Sequence, residues 1–458
     1  MKTIYLYLFP LIVFLIFPIK AQESNDFFDP MDVFELEWAS DPQVSPDSKT
    51  IVYVRKSHDI MKDEVRSNIW QIKIDGEDHR PLYSELGDSY SPRWSPNQDR
   101  LAFLSNNSES TQIHMYWFKS GETRAITQLP ESPSSLSWSP DGKWIAFTMN
   151  VKTKSNAIVE SREKPDGANW AKKPITVTTT RYQYDGRGIV EPSYRHIFVV
   201  PAEGGSARQL TTGNFNHYGS LSWSPDSESI FFSAHRSDDW ELASSEADIY
   251  RIKITDESID QITNQSGEES SPVVSPNGKL VAFNLRERRP LAYTPNRIAV
   301  MDSEGKNMRV ISGNLDGDAE NIVWAEDNQS IYFTYDERGV RKIGEITLSG
   351  KLSEAATSIG GTTIGRPYIS GGFHVAKNII AFTYGQSDRP ADLAIMQNGK
   401  FKLLTGLNED LLAHRILGEV NEIVYKSSFD GQEIQGWYIT PPDYDPTKQY
   451  PLILEIHG

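Results

Sequence analysis

The sequence predicts an all-β fold, a seven-bladed β-propeller of four-stranded blades, on three observations. A turn phrase built on Ser-Pro-Asp or Ser-Pro-Asn recurs along the chain, most copies stand about 50 residues apart, and each leads into residues that alternate with period two. Long stretches of helical period are hard to find outside the first residues, and aromatic residues, Gly and Pro are abundant.

The copies are read in order. Val44-Ser45-Pro46-Asp47 leads to Ile51-Val52-Tyr53, and Trp94-Ser95-Pro96-Asn97 to Leu101-Ala102-Phe103. Trp138-Ser139-Pro140-Asp141-Gly142 leads to Ile145-Ala146-Phe147, and Trp223-Ser224-Pro225-Asp226 to Ile230-Phe231-Phe232. Val274-Ser275-Pro276-Asn277-Gly278 precedes Val281-Ala282-Phe283. The sixth copy, Trp324-Ala325-Glu326-Asp327, is degenerate but keeps Ile331-Tyr332-Phe333, and of the seventh only Ile379-Ile380-Ala381-Phe382 survives. Proline presets φ for the first turn position, Asp or Asn suits the next, and Gly supplies positive φ before the chain reverses. The phrase is therefore a hairpin corner. Most copies are followed by a second alternating hairpin, such as Ile249-Tyr250-Arg251-Ile252, and a short strand such as Gln261-Ile262-Thr263, which makes four strands per repeat.

With the serine or its equivalent as marker, the copies stand at 45, 95, 139, 224, 275, 325 and near 375. The interval from 139 to 224 is the long one, so its blade carries an insertion over about 150–192. The ring then spans 41–406, entered by a lead-in at 22–40. Radial sheets bury each blade against its neighbours, which explains why one repeat alone would not be stable. Trp94, Trp138, Trp223 and Trp324 hold one fixed place in the repeat, which points to packing between blades rather than ligand stacking. One turn carboxylate per blade, spaced around a ring, is not a calcium coordination shell. His58, His79, His114, His217, His235 and His374 are scattered over several repeats without ligand spacing, so neither a metal nor another cofactor is expected.

Met1-Lys2-Thr3 is a basic start, and Ile4 to Ile19 is an apolar run interrupted by Pro10 and Pro18. With small Ala21 before the expected cleavage point, residues 1–21 read as a signal peptide, too short and too proline-rich for a spanning helix. The mature protein is then expected outside the cytoplasm, periplasmic or secreted, and free of the membrane. Loss of Lys2 and Lys20 takes the net charge from −16 to −18, which argues against a nucleic-acid partner. Cysteine is absent, so disulfides and thiolate chemistry are excluded.

From about Leu407 the repeat grammar stops. Glu422-Ile423-Val424-Tyr425 and Gln435-Gly436-Trp437-Tyr438 read as two strands joined at Asp430-Gly431. A connection through Pro441-Pro442 then leads to Tyr450-Pro451-Leu452-Ile453-Leu454-Glu455-Ile456-His457-Gly458, a continuous apolar strand of the kind buried on both faces. The run from Asp430-Gly431 to His457-Gly458 resembles the entry into the α/β-hydrolase domain of the prolyl oligopeptidase family of serine peptidases, the acylaminoacyl-peptidase and bacterial dipeptidyl-peptidase branch fitting best. Arg195-His196-Ile197-Phe198-Val199 through Trp223-Ser224-Pro225-Asp226 is similar to that family too, so the likeness covers nearly the whole mature chain.

The resemblance implies that 407–458 begins a hydrolase domain and that the propeller caps it, admitting short peptides. It implies that His457 and Gly458 are the remnant of an oxyanion motif, whose backbone N–H groups would meet developing negative charge. No Gly-x-Ser-x-Gly elbow is present, and its absence puts the Ser-Asp-His triad outside this sequence. The chain as it stands is expected to be a truncated, inactive portion of an exported peptidase. Within the insertion, Trp170, Tyr182, Tyr184, Asp185, Arg187 and Glu191 stand out, and Asp185 or Glu191 could grip a free peptide amine; a solvated loop is the plainer reading. A rival function is a non-catalytic periplasmic propeller of the Tol-system type, an interaction module with similar repeats. Cleavage specificity and oligomeric state are left open.

Overall fold

The structure, a computed structural model, describes residues 26–456 apart from 84–86, 107–109, 154–161, 172–174, 243–245, 290, 292 and 365–369. The leader read at 1–21 and the His457-Gly458 pair lie outside the described residues. Seven antiparallel four-stranded sheets follow one another in chain order, each a meander of strands A to D. Blade 1 consists of Trp38–Val44, Thr50–Asp59, Glu64–Lys73 and Arg80–Tyr83. Blade 7, the faintest in sequence, is complete as Phe373–Ala376, Ile379–Gln386, Arg389–Gln397 and Lys400–Leu403. Blade 3 carries the longest interruption: 153–192 separates its B strand, Trp144–Lys152, from its C strand, Ser193–Pro201.

The alternation after each turn puts residues such as Ile51 and Tyr53 on one face of a strand. In the B strands both faces are buried, because each blade is covered on either side by its neighbours. Phe103, Phe147, Phe232, Phe283, Phe333 and Phe382 occupy equivalent places and are withdrawn from solvent almost completely. Seven apolar clusters result, one for each seam between adjacent blades. Each fully buried aromatic contributes about 2–3 kcal/mol, so the seams dominate stability.

The turn phrase folds as its residues require. Ser45 Oγ donates to Asp47 Oδ1 at 2.6 Å and accepts from Thr50 N at 3.0 Å, while Lys49 N donates to Asp47 Oδ1. The residue after Asp or Asn takes positive φ in each Ser-Pro copy, but only Gly142 and Gly278 are glycine; Ser48, Gln98 and Ser227 adopt it instead, as does Asn328 in the degenerate sixth copy. Their side chains repay the conformation. Gln98 Oε1 accepts from Asp47 N, Ser227 Oγ from Asp141 N and Asn328 Oδ1 from Asn277 N, each reaching the preceding blade's turn.

The tryptophans do pack between blades. The indole N–H groups of Trp94, Trp138, Trp223 and Trp324 donate to the backbone carbonyls of Gln43, Arg93, Ser137 and Val273, in each case on the preceding blade's A strand. Trp324→Phe should keep the ring and lose this bond, stranding the Val273 carbonyl at a cost of about 1–2 kcal/mol in urea unfolding; an unchanged midpoint would refute that role.

The ring closes without sharing a strand between its ends, since every blade is made of residues from one stretch of chain. Closure rests on the seam between blades 7 and 1 and on a clasp beside it. The 3-10 turn Pro30–Glu35 and the helical turn Glu409–Leu412 pack through Leu36, Leu411 and Leu412. Asp32 receives two bonds from the Arg415 guanidinium, at 2.5 and 2.9 Å, and Asn408 bonds both backbone groups of Glu37. Residues that read as a lead-in are therefore part of the closure.

Beyond the ring, Val420–Lys426 and Glu433–Ile439 form the expected hairpin around Gly431. The strand expected from Tyr450 does not form. Residues 450–456 carry no strand pairing, and Leu452 and Ile453 are 87% and 91% exposed, because among the described residues no strand lies alongside to complete a ladder. Among the described residues no helix is long and apolar enough to cross a membrane.

Candidate functional site

Strand direction alternates within each blade, so A–B turns open on one face of the ring and B–C connections on the other. The insertion of blade 3 is a B–C connection. The terminal hairpin reaches the same face: Gln435 Nε2 donates to the Arg338 carbonyl at 3.0 Å in the B–C turn of blade 6, and Glu422 lies 3.9 Å from Arg338. Trp437 sits so close to Gly339 that a Cβ there would stand 2.4 Å from its ring, and positive φ at Arg338 and Gly339 supplies the tight turn. Insertion and hairpin thus occupy one face.

On this face a cavity of about 370 Å³ lies between the insertion and blades 3 and 4. Its walls come from the ends of elements: Asn150 closing a B strand, Ser193, Tyr194 and Arg195 opening a C strand, Asn216 and Tyr218 entering blade 4, and Trp240 and Glu241 in that blade's B–C connection. The inserted hairpin Gln183–Tyr184 with Gly188–Ile189 adds Tyr184 and Arg187, and the residues on either side of it add Arg181 and Glu191. The insertion is tied down where Thr180 donates from backbone and hydroxyl to Glu241 Oε2, at 3.0 and 3.1 Å. Tyr194 and Trp240 meet edge to face at 6.0 Å. Burial pushes the Tyr218 phenol up, and burial together with Glu241 raises that of Tyr194, so both are neutral hydrogen-bonding groups at neutral pH. A second hollow of about 380 Å³ adjoins through Arg181, Tyr218 and Trp240 and brings in His235, Glu246 and Glu268.

A larger concavity, about 970 Å³, lies between blades 2 and 3, but its polar lining, Thr127, Gln128, Asn150, Ser206 and Gln209, is uncharged, and its charged residues, Lys152 and Glu131, already pair at 3.0 Å. The smaller cavity has the richer chemistry.

Of the two acids singled out by sequence, Glu191 lies at the cavity and Asp185 at the exposed hairpin tip, so the structure does not bring them together on one point. Glu191 is itself 3.6 Å from Lys152, whose ammonium is held charged by Glu131 first and by Glu191. Tyr184 and Arg187 line the cavity, while Trp170 is half exposed elsewhere in the insertion. Arg181, Arg195, Tyr218, Trp240 and Glu241 were not picked out from sequence. The available signal was the extended connection between Ala234 and Asp248, which the even repeat spacing concealed.

The TolB beta propeller domain model matches residues 48–288 and 171–363. The uncharacterized peptidase YuxL of Bacillus subtilis is 26% identical over 447 residues, which cover 93% of this chain and 65% of that protein. A dipeptidyl-peptidase 5 of Porphyromonas gingivalis is 24% identical, over 96% of this chain and 64% of its own length. Among solved structures, the Pyrococcus horikoshii acylaminoacyl peptidase superposes with a TM-score of 0.70 at 18% identity, over 91% of this chain and 59% of that one, a likeness of fold. The chain spans less than two thirds of the length of the two curated relatives.

Proposed function

Since the chain belongs to the TolB beta propeller domain family, we propose that it is the propeller portion of an exported serine peptidase that cuts short peptides, of dipeptidyl- or acylaminoacyl-peptidase type. The relatives are peptidases by name, which supports the reaction class. The observation that carries the reading is the shared face: the chain leaves the ring through a hairpin seated on the B–C side, where the polar and aromatic cavity opens. A hydrolase domain following that hairpin would stand over the cavity, with the propeller excluding folded proteins from the reaction centre. In this reading Glu191, at the cavity edge, would meet a substrate amine, with Lys152 as its competitor.

The chain contains no Gly-x-Ser-x-Gly, so by itself it should release no p-nitroaniline from dipeptidyl or N-acyl-aminoacyl anilides. Protein made from the complete reading frame should release it and should lose activity to a serine-directed phosphonate. Intrinsic turnover by the purified chain, or an inert complete protein, would overturn the reading. In the active protein, Glu191→Gln should raise KM for substrates with a free amine and leave N-acylated ones unchanged.

A further inference from the structure

Arginine in this protein is nearly always engaged. Among the described residues, every arginine outside Arg162 and one group of three meets a carboxylate, a backbone carbonyl or an imidazole: Arg100 with Glu203, Arg341 with Asp336 and Glu320, Arg297 with the Leu315 carbonyl, Arg236 with His217. The three exceptions are Arg181, Arg187 and Arg195. Their guanidinium groups make no ion pair or hydrogen bond among the described residues, and all three line the same 370 Å³ cavity. The chain carries a net charge of −16, with carboxylates in excess, and still leaves three guanidiniums unpaired around one hollow.

The two acids at that cavity do not neutralise the group. Glu241 is occupied by the Thr180 backbone and hydroxyl, and Glu191 faces Lys152. The arginines arise from three places: Arg181 precedes the inserted hairpin, Arg187 sits in its turn, and Arg195 lies near the start of the blade 3 C strand. Convergence therefore depends on the insertion folding back over blades 3 and 4. Guanidinium presents a planar fork of donors that suits a carboxylate, and a fork left unpaired at the wall of a cavity is available to one brought by a ligand.

We propose that this cavity binds a carboxylate of the peptide substrate, with Arg181, Arg187 and Arg195 as its donors and Tyr218 and Trp240 as the apolar wall beside it. The proposal rests on the peptide-processing reading above and deepens it, because it makes the propeller a selector of substrate charge as well as a cover. The carboxylate is a peptide C-terminus or an Asp or Glu side chain, the chemistry being common to both.

The test is calorimetric binding to the purified chain of three peptides, Ala-Ala-Ala as free acid, its C-terminal amide, and Ala-Asp-Ala amide. The free acid should bind about ten- to a hundredfold more tightly than the plain amide. The preference should shrink as salt is added and should fall about tenfold in Arg181→Gln or Arg187→Gln, which alter exposed positions, and in Arg195→Gln if that strand variant folds. Recovery of affinity by Ala-Asp-Ala amide would assign the site to side-chain carboxylates, and no recovery would assign it to the C-terminus. Equal binding of all three would sink the carboxylate assignment and leave the peptide reading standing, as would a preference that survives all three arginine substitutions. Failure of every peptide to bind would overturn the carboxylate site, while the peptide-processing reading stands or falls separately on the anilide turnover of the complete protein.

Discussion

Asn408→Ala should lower the stability of the ring by about 2–4 kcal/mol, although Asn408 touches neither a blade seam nor the cavity. Its side chain is buried, accepts from Glu37 N at 2.8 Å and donates to the Glu37 carbonyl at 2.7 Å, a replica of one rung of a β-ladder between residues 371 apart. Removing it leaves a donor and an acceptor without partners, and an unmade bond costs more than a made one contributes. The position matters because no strand is shared between the first and last blades. Asp32 works beside it. The Arg415 guanidinium holds its carboxyl down to about 2, so this pair stabilises the fold above about pH 4 and is lost as pH falls from there toward 2. Asp32→Asn should cost less, about 1–2 kcal/mol, since the Arg415 head remains reachable by solvent. Urea unfolding at pH 7 gives both values, and limited proteolysis should cut the Asn408→Ala protein first near 405–417. A loss below about 0.5 kcal/mol for Asn408→Ala would mean that the seam closes the ring unaided.

The contrast between blades and clasp shows what a sequence can carry. A blade is written locally: Ser-Pro-Asp makes its own turn, and the following alternation is readable because a strand's neighbours lie a few residues away. Seven copies reinforce one another, so even the faint Ile379-Ile380-Ala381-Phe382 marked a complete sheet. Asn408 and Glu37 carry no such local mark, since their pairing exists only once the ring has closed. The turn glycine was legible in part. Gln98, Ser227 and Asn328 replace it because the side chain reaches the previous blade, a gain that no single repeat displays. The candidate site was legible only through the length of the insertion. That pointed to Tyr184, Arg187 and Glu191, whereas Arg195 and Tyr218 come from ordinary blade positions and Trp240 from the B–C connection of blade 4, and they become neighbours through the fold-back of 175–192. The apolar run from Tyr450 illustrates the opposite error, a strong strand pattern that stays unpaired because a pattern supplies no partner.

Glu269→Gln should stabilise the protein, and increasingly so as pH rises. Glu269 opens the A strand of blade 5 and is fully buried against Asp248, which opens the C strand of blade 4; a parallel bridge between Ala247 and Glu268 fixes the two carboxyls across the seam. Gln261 Nε2 satisfies one oxygen of Asp248 at 3.0 Å, but the other has no hydrogen-bond donor of ordinary geometry, and neither has either oxygen of Glu269. Burial, with the Asp248 charge adding to it, pushes the Glu269 carboxyl up to about 7, and burial raises Asp248 to about 6. In the unfolded chain such groups ionise near pH 4. Between about pH 4 and 7 the folded state therefore holds more protons than the unfolded one, and stability falls as pH rises through that window. The two carboxyls titrate as a pair, so the fall belongs to both. Glutamine keeps the shape, removes the titration and offers an amide N–H to the Asp248 carboxylate. The gain over the parent should be small at pH 4 and larger at pH 8 by about 2–3 kcal/mol, read from urea midpoints across that range. A difference that stays flat from pH 4 to 8 would show that the seam does not hold a proton between these two acids.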